Sequence, residues 1–413
     1  MNKSLYIVAF SLAFATTGIA QNNEGQDKVI DLGTQTTTEL RKTQAVSTIY
    51  SDELDKNATT SPYNAIYGLL PGLSVMQNTS WGTDKSRLNV RGRGSLNGDT
   101  PLFVVDGFAR PLEYINLSEI ESISVLKDGA ATALWGGRGA NGVVLITTKR
   151  GIYNQKDIKV DYKFGLGLPV NQPEFADAYT YAKARNEALR YDGLQPDMDE
   201  ASFLSGGNSD LYPNVDWQKE ALRNHTTSHQ LDITFRGGGK RLRYFSVLNY
   251  KNDMGLLNSK YTDYTDRYNS QMKKYFLNLR MNLDVDITDA TKLKLSMLGM
   301  LRETKRPTTS EATLFEQIFN TPSAAFPVQT QNGFWGSNNV LKTNPIANLA
   351  DVGYYKLNQR MLQADLRLVQ DLSVLTRGLS AELAIAYDNN ATYQETAKKS
   401  FMYQTIEKGI DGE

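Results

Sequence analysis

Three glycines in this 413-residue sequence have the spacing of a phosphate-binding loop. Gly137, Gly139 and Gly142 spell GxGxxG, which in a dinucleotide-binding fold cradles a pyrophosphate. That role requires a strand before the glycines and a helix after them. Here the residue pattern predicts the reverse order, a short helix over 128–134 and a strand over 143–147. The glycines therefore predict a tight turn between those two elements.

Two histidines and two aspartates are the other groups that could do chemistry. His225 and His229 lie four residues apart without the glutamate of a zinc-protease motif, so a solvated pair is expected. Asp284 and Asp286 could act together as hydrolase acids, but both alternate strictly with apolar residues, which places them on the polar face of a strand. The sequence thus predicts no catalytic residue, no metal site and no cofactor, and an enzyme is the least favoured class.

Strict alternation of polar and apolar residues dominates the chain after Gly151. The clearest examples are 158–164 and 279–287, and about seven such segments follow one another. Each predicts a strand with one polar and one apolar face, because successive side chains point to opposite sides. Such a pattern commonly belongs to a soluble antiparallel sheet. Only two helices are expected here, 174–189 and 310–319, so the missing second layer favours a transmembrane barrel covered by lipid.

The N-terminal region divides into three segments of different composition. Residues 1–20 have the features of an export signal: Lys3, an apolar run and small residues up to Ala20. Residues 21–43 are small and polar, which predicts an extended, mobile arm with one apolar patch at 29–32. Residues 44–150 have the mixed pattern of a compact α+β domain of ordinary size.

Composition excludes several classes of protein. The sequence has no cysteine, which rules out disulfides, thiolate metal sites and a lipidated cysteine after the signal. Lysine plus arginine and aspartate plus glutamate both number 45, so no basic footprint for nucleic acid exists. Mean hydropathy is −0.43, and beyond the signal no apolar stretch approaches the length of a membrane helix.

Three segments resemble the plug domain of the SusC/RagA type of TonB-dependent outer-membrane transporters. They are LNVRGRGS at 88–95 followed by PLFVVDG at 101–107, IESISVLKDGAATALWGGRGANG at 120–142, and VVLITTKRG at 143–151. The similarity extends to 62–75 upstream and to 215–223 downstream. The plug-motif residues carried by these segments are Arg91, Gly92, Asp106, Gly107, Lys127, Asp128, Gly136, Arg138, Gly139 and Gly142.

The resemblance implies a fold class and a set of partners. The fold is an α+β plug domain followed by the first strands of a large antiparallel transmembrane β-barrel, with a signal at 1–20, an arm at 21–43, the plug at 44–150 and barrel at 151–413. The implied location is the outer membrane, in contact with its lipid. The implied partners are TonB, a SusD-like lipoprotein lid, and an oligosaccharide or peptide as cargo.

The arm carries the candidate TonB box, Val29, Ile30, Asp31 and Leu32. An extended segment with one apolar patch can add to the edge of a partner's sheet through main-chain hydrogen bonds. The resemblance assigns this segment to energy coupling with the periplasmic domain of TonB.

Strand number sets a further expectation. Family barrels have about 22 strands, and an open sheet edge in hydrocarbon costs several kcal/mol for each unpaired backbone group. The roughly seven strands found here predict a fragment that does not transport alone. The alternative hypothesis is a non-transporting, plug-bearing periplasmic or surface binding protein.

Overall fold

The fold is that of a computed structural model, which describes two large sheets and three two-stranded ones. It describes residues 7–13, 29–31, 36–38, 43–54, 56, 59, 61–77, 86–94, 98–170, 172–262 and 270–405. Within those ranges, a five-stranded sheet forms the N-terminal domain and an eight-stranded antiparallel sheet follows it. No helix in the described part of the chain is both long and apolar enough to cross a membrane.

The elements are numbered in chain order. The strands are β1 (Ile7–Ala13), β2 (Val29–Asp31), β3 (Thr36–Thr38), β4 (Val46–Tyr50), β5 (Leu73–Met76), β6 (Arg87–Val90), β7 (Leu102–Val105), β8 (Phe108–Ala109), β9 (Ile120–Leu126), β10 (Val143–Thr148), β11 (Lys156–Gly167), β12 (Thr226–Gly238), β13 (Leu242–Met254), β14 (Lys273–Asp286), β15 (Thr291–Pro307), β16 (Trp335–Ser337), β17 (Gly353–Asp371), β18 (Ser380–Lys398) and β19 (Tyr403–Thr405). The helices are α1 (Ser51–Leu54), α2 (Pro62–Ala65), α3 (Gly129–Thr132), α4 (Ala178–Tyr191), α5 (Glu200–Ser205), α6 (Trp217–Ala221), α7 (Ser259–Thr262), α8 (Glu311–Asn320) and α9 (Pro345–Ala350).

The N-terminal domain is organised around the central strands β9 and β10. Its sheet has the order β4-β9-β10-β7-β8, with β10 antiparallel to β9 and parallel to β7. The β-branched residues Ile123, Val125, Val144 and Ile146 are at most 1% exposed and belong to one apolar core. The strands predicted over 120–126 and 143–147 are confirmed, because short buried runs of this kind are bounded by turn residues.

The glycine turn between α3 and β10 has a steric cause. Gly142 has φ of +88°, and a Cβ built on it would lie 2.8 Å from the Cβ of Val90. Only glycine satisfies both the positive φ and the close approach of β6. The predicted helix is found over Gly129–Thr132, but Gly137 and Gly139 then lie in a 3-10 helix over Ala133–Gly139, and the turn before β10 is confined to the residues that follow it. The order of helix and strand is the reverse of a dinucleotide-binding loop.

The large sheet is a series of antiparallel hairpins in the order β1-β11-β12-β13-β14-β15-β17-β18. Seven of its strands follow the N-terminal domain, as the alternation predicts. Short connections lie at one end of the sheet and long ones at the other, here called the turn end and the loop end. The turn-end connections are 239–241, 287–290 and 372–379, and the loop-end connections are 168–225, 255–272 and 308–352.

The two faces of this sheet are inverted relative to a soluble protein. On β14, Leu277, Leu279 and Met281 are 40%, 43% and 51% exposed, on what is here called the outer face. The intervening Asn278 and Arg280 are 0% and 1% exposed, on the inner face that the N-terminal domain covers. A folded sheet that exposes its apolar residues and buries its polar ones requires an apolar environment outside it.

The first edge of the large sheet is covered by part of the predicted export signal. Residues 7–13 form β1, which pairs antiparallel with β11 from Ile7 opposite Gly167 to Ala13 opposite Asp161. An edge strand presents unpaired N–H and C=O groups that an extended segment can satisfy. The signal over 1–20 stays a prediction.

The loop end has a small core of its own, with Trp217, Leu314 and Ile346 buried in it. Six helices lie in the described residues after the N-terminal domain, where two were predicted. The predicted helix over 310–319 is α8, capped by Ser310. The helix predicted over 174–189 begins later, at Ala178, because the side chain of Asp177 accepts the N–H of Thr180 and so caps it there.

The inverted faces lead to a first prediction. Leu279→Arg is expected to lower the free energy of unfolding in lipid by about 2–4 kcal/mol, because an arginine is poorly solvated on the lipid face of a barrel. Urea unfolding of the full-length protein in lipid vesicles measures the change. Leu375→Arg, at a 75% exposed position in the turn-end connection, is the control and should change it by less than about 0.5 kcal/mol. Equal losses would contradict a lipid-covered outer face.

Candidate functional site

Asp128 fastens the start of the N-terminal domain to its central strand. One carboxylate oxygen accepts the N–H of Ala131 at 2.8 Å and caps α3, while the other accepts the N–H of Ala45 at 2.7 Å. The hydrogen bond from Ala45 is the main reason why the pKa of Asp128 lies below its ordinary value. The charged carboxylate therefore holds the residue that precedes β4.

Lys127 makes the adjacent attachment. Its ammonium donates to Ser47 Oγ at 2.6 Å and to the carbonyl of Pro71 at 3.0 Å. Ser47 lies on β4, which is the edge strand of the domain sheet. Lys127 and Asp128, both predicted plug-motif residues, thus hold the same edge strand from one side.

Asp106 and Gly107 form the turn between β7 and β8, and this turn contacts the large sheet. The carboxylate of Asp106 accepts the N–H and hydroxyl of Thr148 at 3.0 and 2.6 Å, while its carbonyl accepts the Arg367 guanidinium from β17. A Cβ at Gly107 would lie 2.7 Å from Nη2 of Arg367. The guanidinium can shift, so the preference for glycine rests on the φ of +87° at this position.

Two of the remaining motif residues adjoin the Lys127 and Asp128 attachments: the charge of Arg91 helps to lower the pKa of Asp128, and Gly142 lies against Val90, the neighbour of Arg91. Arg91 has φ of +59°, and its N–H donates to the carbonyl of Gly72 at 2.8 Å. Gly139 is buried against Thr132, and Gly142 lies under β6. The exposed members of the set are Arg91, Gly92, Gly136 and Arg138. The motif therefore consists mostly of positions that shape the domain, with one turn that touches the large sheet.

A buried ion pair joins the N-terminal domain to the inner face of the large sheet. Glu119, at the end of a single 3-10 turn before β9, accepts the Nε–H of Arg280 at 2.5 Å, and the two side chains are 0% and 2% exposed. The amide of Asn278 also donates to Glu119. Alternation placed these strand residues on the polar face, but their partner on the domain could not be predicted, because it depends on docking.

Arg110 makes the second buried attachment. Its guanidinium lies 2.7 Å from carboxylate oxygens of both Asp365 on β17 and Asp388 on β18, and its side chain is 2% exposed. Burial by itself lowers the pKa of Arg110, but the hydrogen bonds to Asp388 and Asp365 outweigh it and raise the pKa above its ordinary value. The guanidinium stays charged between its two carboxylates.

A third group of polar contacts lies where the N-terminal domain leads into β11. Arg150 pairs with Asp284 at 3.1 Å and donates to Ser296 at 2.8 Å, and Asn282 donates to the carbonyl of Lys149 at 2.7 Å. The position of Asp284 on the inner face is confirmed. Its partners are the basic side chains of Arg150 and Arg243, while Asp286 accepts the hydroxyl of Tyr153 at 2.7 Å.

An apolar cluster also joins the two parts. Tyr114 packs there with Phe276, Leu298, Met300 and Met361 of the large sheet. The joint between the domain and the sheet therefore combines charged, hydrogen-bonded and apolar contacts.

The candidate TonB box lies in a short hairpin rather than in an unpaired arm. Residues 29–31 form β2, which pairs with β3, and Ile30 is 1% exposed in a cluster with Val46 and Leu126. The sequence predicted an extended, mobile arm, whereas the structure has a strand pair here. The pairing occurs because the apolar side chain of Ile30 packs against the domain. Leu32 lies outside the described residues, and the assignment as a TonB box stays a prediction.

The two histidines lie apart from these contacts. The hydroxyl of Tyr162 and Nδ1 of His229 share a hydrogen bond of 2.7 Å between β11 and β12, while His225 precedes β12. Neither belongs to a group of three or more metal-ligating residues within the described ranges.

The loop end contains a cavity of about 660 Å³ between its first and third long connections. The rings of Phe175 and Phe319 stack at its mouth with centroids 5.9 Å apart. Trp217 and Asp216 also line it. Such an aromatic and polar lining suits the face of a sugar ring or an aromatic side chain.

Comparison with known proteins identifies the N-terminal domain. Residues 38–143 match the family described as TonB-dependent Receptor Plug Domain. The chain is 30% identical over 283 residues to the TonB-dependent receptor SusC of Bacteroides thetaiotaomicron, covering 64% of this chain and 26% of that protein. It is 28% identical over 281 residues to the TonB-dependent receptor P26 of Formosa agariphila, covering 66% of this chain and 26% of that protein.

Solved structures show the same fold at lower identity. The RagAB peptide importer in its open-open state superposes with a TM-score of 0.70 at 19% identity, covering 89% of this chain and 43% of that one. The chain spans about a quarter of the length of the curated relatives it matches, since it covers 26% of each.

The buried ion pair gives a prediction about stability. Glu119→Gln or Arg280→Met alone is expected to lower the free energy of unfolding by about 3–5 kcal/mol, because each leaves a buried partner unpaired. Denaturant unfolding of the full-length protein measures both losses. The double variant should lose less than the sum of the two. Additive losses would contradict direct pairing between the N-terminal domain and β14.

Asp128 gives a prediction about pH. Its folded-state pKa is lowered, so its stabilising contribution is present above the ordinary pKa of about 4 and is lost as pH falls toward the folded value. Asp128→Asn is expected to cost about 1 kcal/mol near pH 7, because the amide nitrogen cannot accept the N–H of Ala45, and much less near pH 3. Protease cleavage of the N-terminal domain, measured at both pH values, tests this. A cost that is equal at both would contradict the role of the charge.

Proposed function

We propose that the chain is part of a TonB-dependent receptor of the SusC/RagA type and that it works in the import of a large nutrient across the outer membrane. The observation that carries this proposal is the inverted sheet: polar inside against the N-terminal domain, apolar outside. A wall of this kind, filled by a separately folded domain, suits a gated passage through lipid. The N-terminal domain is the plug, and the large sheet is part of the wall.

The attachments of the plug suggest how the passage opens. Arg110, Glu119 and Arg150 hold it to the wall through charged contacts, which water can replace when the two surfaces separate. Its N-terminal edge strand β4 is held by Lys127 and Asp128. We infer that a pull from the N-terminal side reaches the Asp128 attachment before any of the wall contacts.

TonB is the proposed source of that pull. Residues 29–32 are the proposed TonB box, and β2 offers the main-chain groups that a strand of TonB would pair with. Because Ile30 is buried and β2 already pairs with β3, the hairpin must leave the plug before the box is offered. Burial of Ile30 would thus keep the box covered in the resting state.

The proposed cargo is an oligosaccharide or a peptide, taken in with a SusD-like outer-membrane lipoprotein as lid. Support comes from relatives named SusC and a peptide importer named RagAB, and from the aromatic cavity at the loop end. The proposed location is the outer membrane, after export by the signal over 1–20. No enzymatic step is part of this proposal.

A variant of the hairpin tests energy coupling. Val29→Pro is expected to reduce cargo uptake to the level of cells without TonB, because proline removes a main-chain donor needed for strand addition. Surface binding of cargo should be unchanged. Uptake and binding of labelled cargo by cells that carry the full-length protein measure both effects.

Thr38→Pro is the matched control, since Thr38 pairs with Val29 in the same hairpin. It disturbs the hairpin equally but leaves the proposed box intact, so uptake should persist. Loss of uptake in both variants would assign the effect to the hairpin fold, and no loss in either would place the box elsewhere. A mature protein recovered in the soluble fraction would contradict the transporter and favour a plug-bearing binding protein.

A further inference from the structure

The cavity at the loop end is lined by segments from two separate connections. Residues 175–181 and 214–219 belong to the first long connection, and residues 318–323 belong to the third. Its volume of about 660 Å³ is that of a ligand-binding cleft. In outer-membrane barrels the long connections lie outside the cell and the short ones face the periplasm. Under the proposed function, the cavity therefore opens on the side from which cargo arrives.

Hydrogen bonds fasten the three segments to one another in pairs. The side chain of Asn214 accepts the N–H of Ala178 at 3.0 Å. The hydroxyl of Ser323 donates to the carbonyl of Ala176 at 2.8 Å, and the carbonyl of Ser323 accepts the N–H of Val215 at 3.0 Å. The walls of the cavity are thus fixed before a ligand arrives, so binding does not have to order them.

Two phenylalanine rings form an apolar step at the mouth of the cavity. The rings of Phe175 and Phe319 are nearly parallel, with an angle of 17° between their planes and centroids 5.9 Å apart. The side chain of Phe175 is 49% exposed, although it belongs to a part of the loop end that is otherwise tied together. An aromatic ring with an open face can hold the flat C–H face of a sugar or another aromatic ring.

Polar groups of both hydrogen-bonding kinds lie around these rings. The carboxylate of Asp216 is 2.9 Å from the ammonium of Lys219, and Asp177 and Asn320 line the same cavity. Burial by itself raises the pKa of Asp216, but the hydrogen bonds from Lys219 outweigh it and hold that pKa below its ordinary value. The hydrogen bond from the N–H of Thr180 lowers the pKa of Asp177. At neutral pH the two carboxylates therefore accept, while the ammonium and the amide can donate.

This mixture of donors and acceptors distinguishes the two ligands that an aromatic surface suits. An apolar aromatic side chain would displace water from the polar groups without replacing its hydrogen bonds, which is unfavourable. A sugar hydroxyl both donates and accepts, so one sugar ring can satisfy a carboxylate and a neighbouring ammonium together. A charged ligand would meet a like charge beside each opposite one. The lining therefore favours a neutral, hydroxyl-rich ring.

We propose that this cavity is a subsite for one ring of a neutral oligosaccharide, with the face of the ring against Phe175 and its hydroxyls directed to Asp216 and Asn320. The inference rests on the proposed function in that the bound sugar is the imported cargo. It narrows the class of that cargo to carbohydrate, and it assigns part of the recognition to the wall connections.

Binding of defined sugars to the purified full-length protein tests the subsite. The protein, held in a detergent without a sugar headgroup, is applied to an array of neutral α- and β-linked hexasaccharides of glucose, xylose, mannose or galactose. The hexasaccharide retained best is then titrated by calorimetry into the wild type and the variants. The hexapeptide Ala-Ala-Phe-Phe-Ala-Ala is the carbohydrate-free probe.

The test variants separate stacking from hydrogen bonding. Phe175→Ala should weaken binding of the hexasaccharide about tenfold, and Asn320→Ala about fivefold. Phe175→Trp keeps an aromatic face and should stay within about threefold of the wild type. Phe334→Ala is the matched control, because Phe334 is 39% exposed on the third long connection and does not line the cavity. It should bind as the wild type does.

Three results would overturn the subsite. They are retention of no hexasaccharide, equal affinity of the wild type and of both alanine variants at the cavity, and binding of the hexapeptide in preference to every sugar.

The measurement separates this inference from the proposed function, because it requires neither TonB nor a membrane. Sugar binding that depends on Phe175, in a protein that imports nothing, would leave the subsite standing and defeat the transporter. Import that depends on TonB, with sugar binding that ignores Phe175 and Asn320, would defeat the subsite alone.

Discussion

The rest of this structure depends on the buried contact between Glu119 and Arg280. Both side chains are almost completely buried, and a buried charge without its partner costs several kcal/mol. The plug therefore supplies the carboxylate that Arg280 requires, and the wall supplies the guanidinium that Glu119 requires. Because strand side chains alternate, a wall that turns charged residues inward must turn apolar residues outward. The polar interface with the plug thus determines which kind of surroundings, polar or apolar, each face of the large sheet can contact.

The plug is held in two physically different ways. Its interior is an ordinary apolar core that water would penetrate only at high cost. Its surface against the wall is mainly charged, so its groups regain hydration when they separate. An apolar cluster around Tyr114 adds to these contacts. Under the proposed function, the plug can shift against the wall while its interior stays folded, and β4 is the strand through which the pull enters.

Alternation and turn residues predicted the seven wall strands, β9 and β10, because each depends on neighbours in sequence. The four short helices of the loop end were missed, since pieces of four to six residues show no helical period and fold only around a shared core. The triad of Arg110 with Asp365 and Asp388 was missed for another reason. Which residues meet across strands depends on register, and local pattern does not encode it.

The charged surface of the plug also matters because the plug is synthesised before the wall. Glu119 and Arg280 are separated by 161 positions, and Arg110 and Asp388 by 278. During synthesis the plug is complete long before the strands that will enclose it. An apolar surface exposed for that interval would invite aggregation, whereas a charged one stays hydrated. The polarity of the joint thus lowers the tendency of the plug to aggregate while the wall is not yet packed against it.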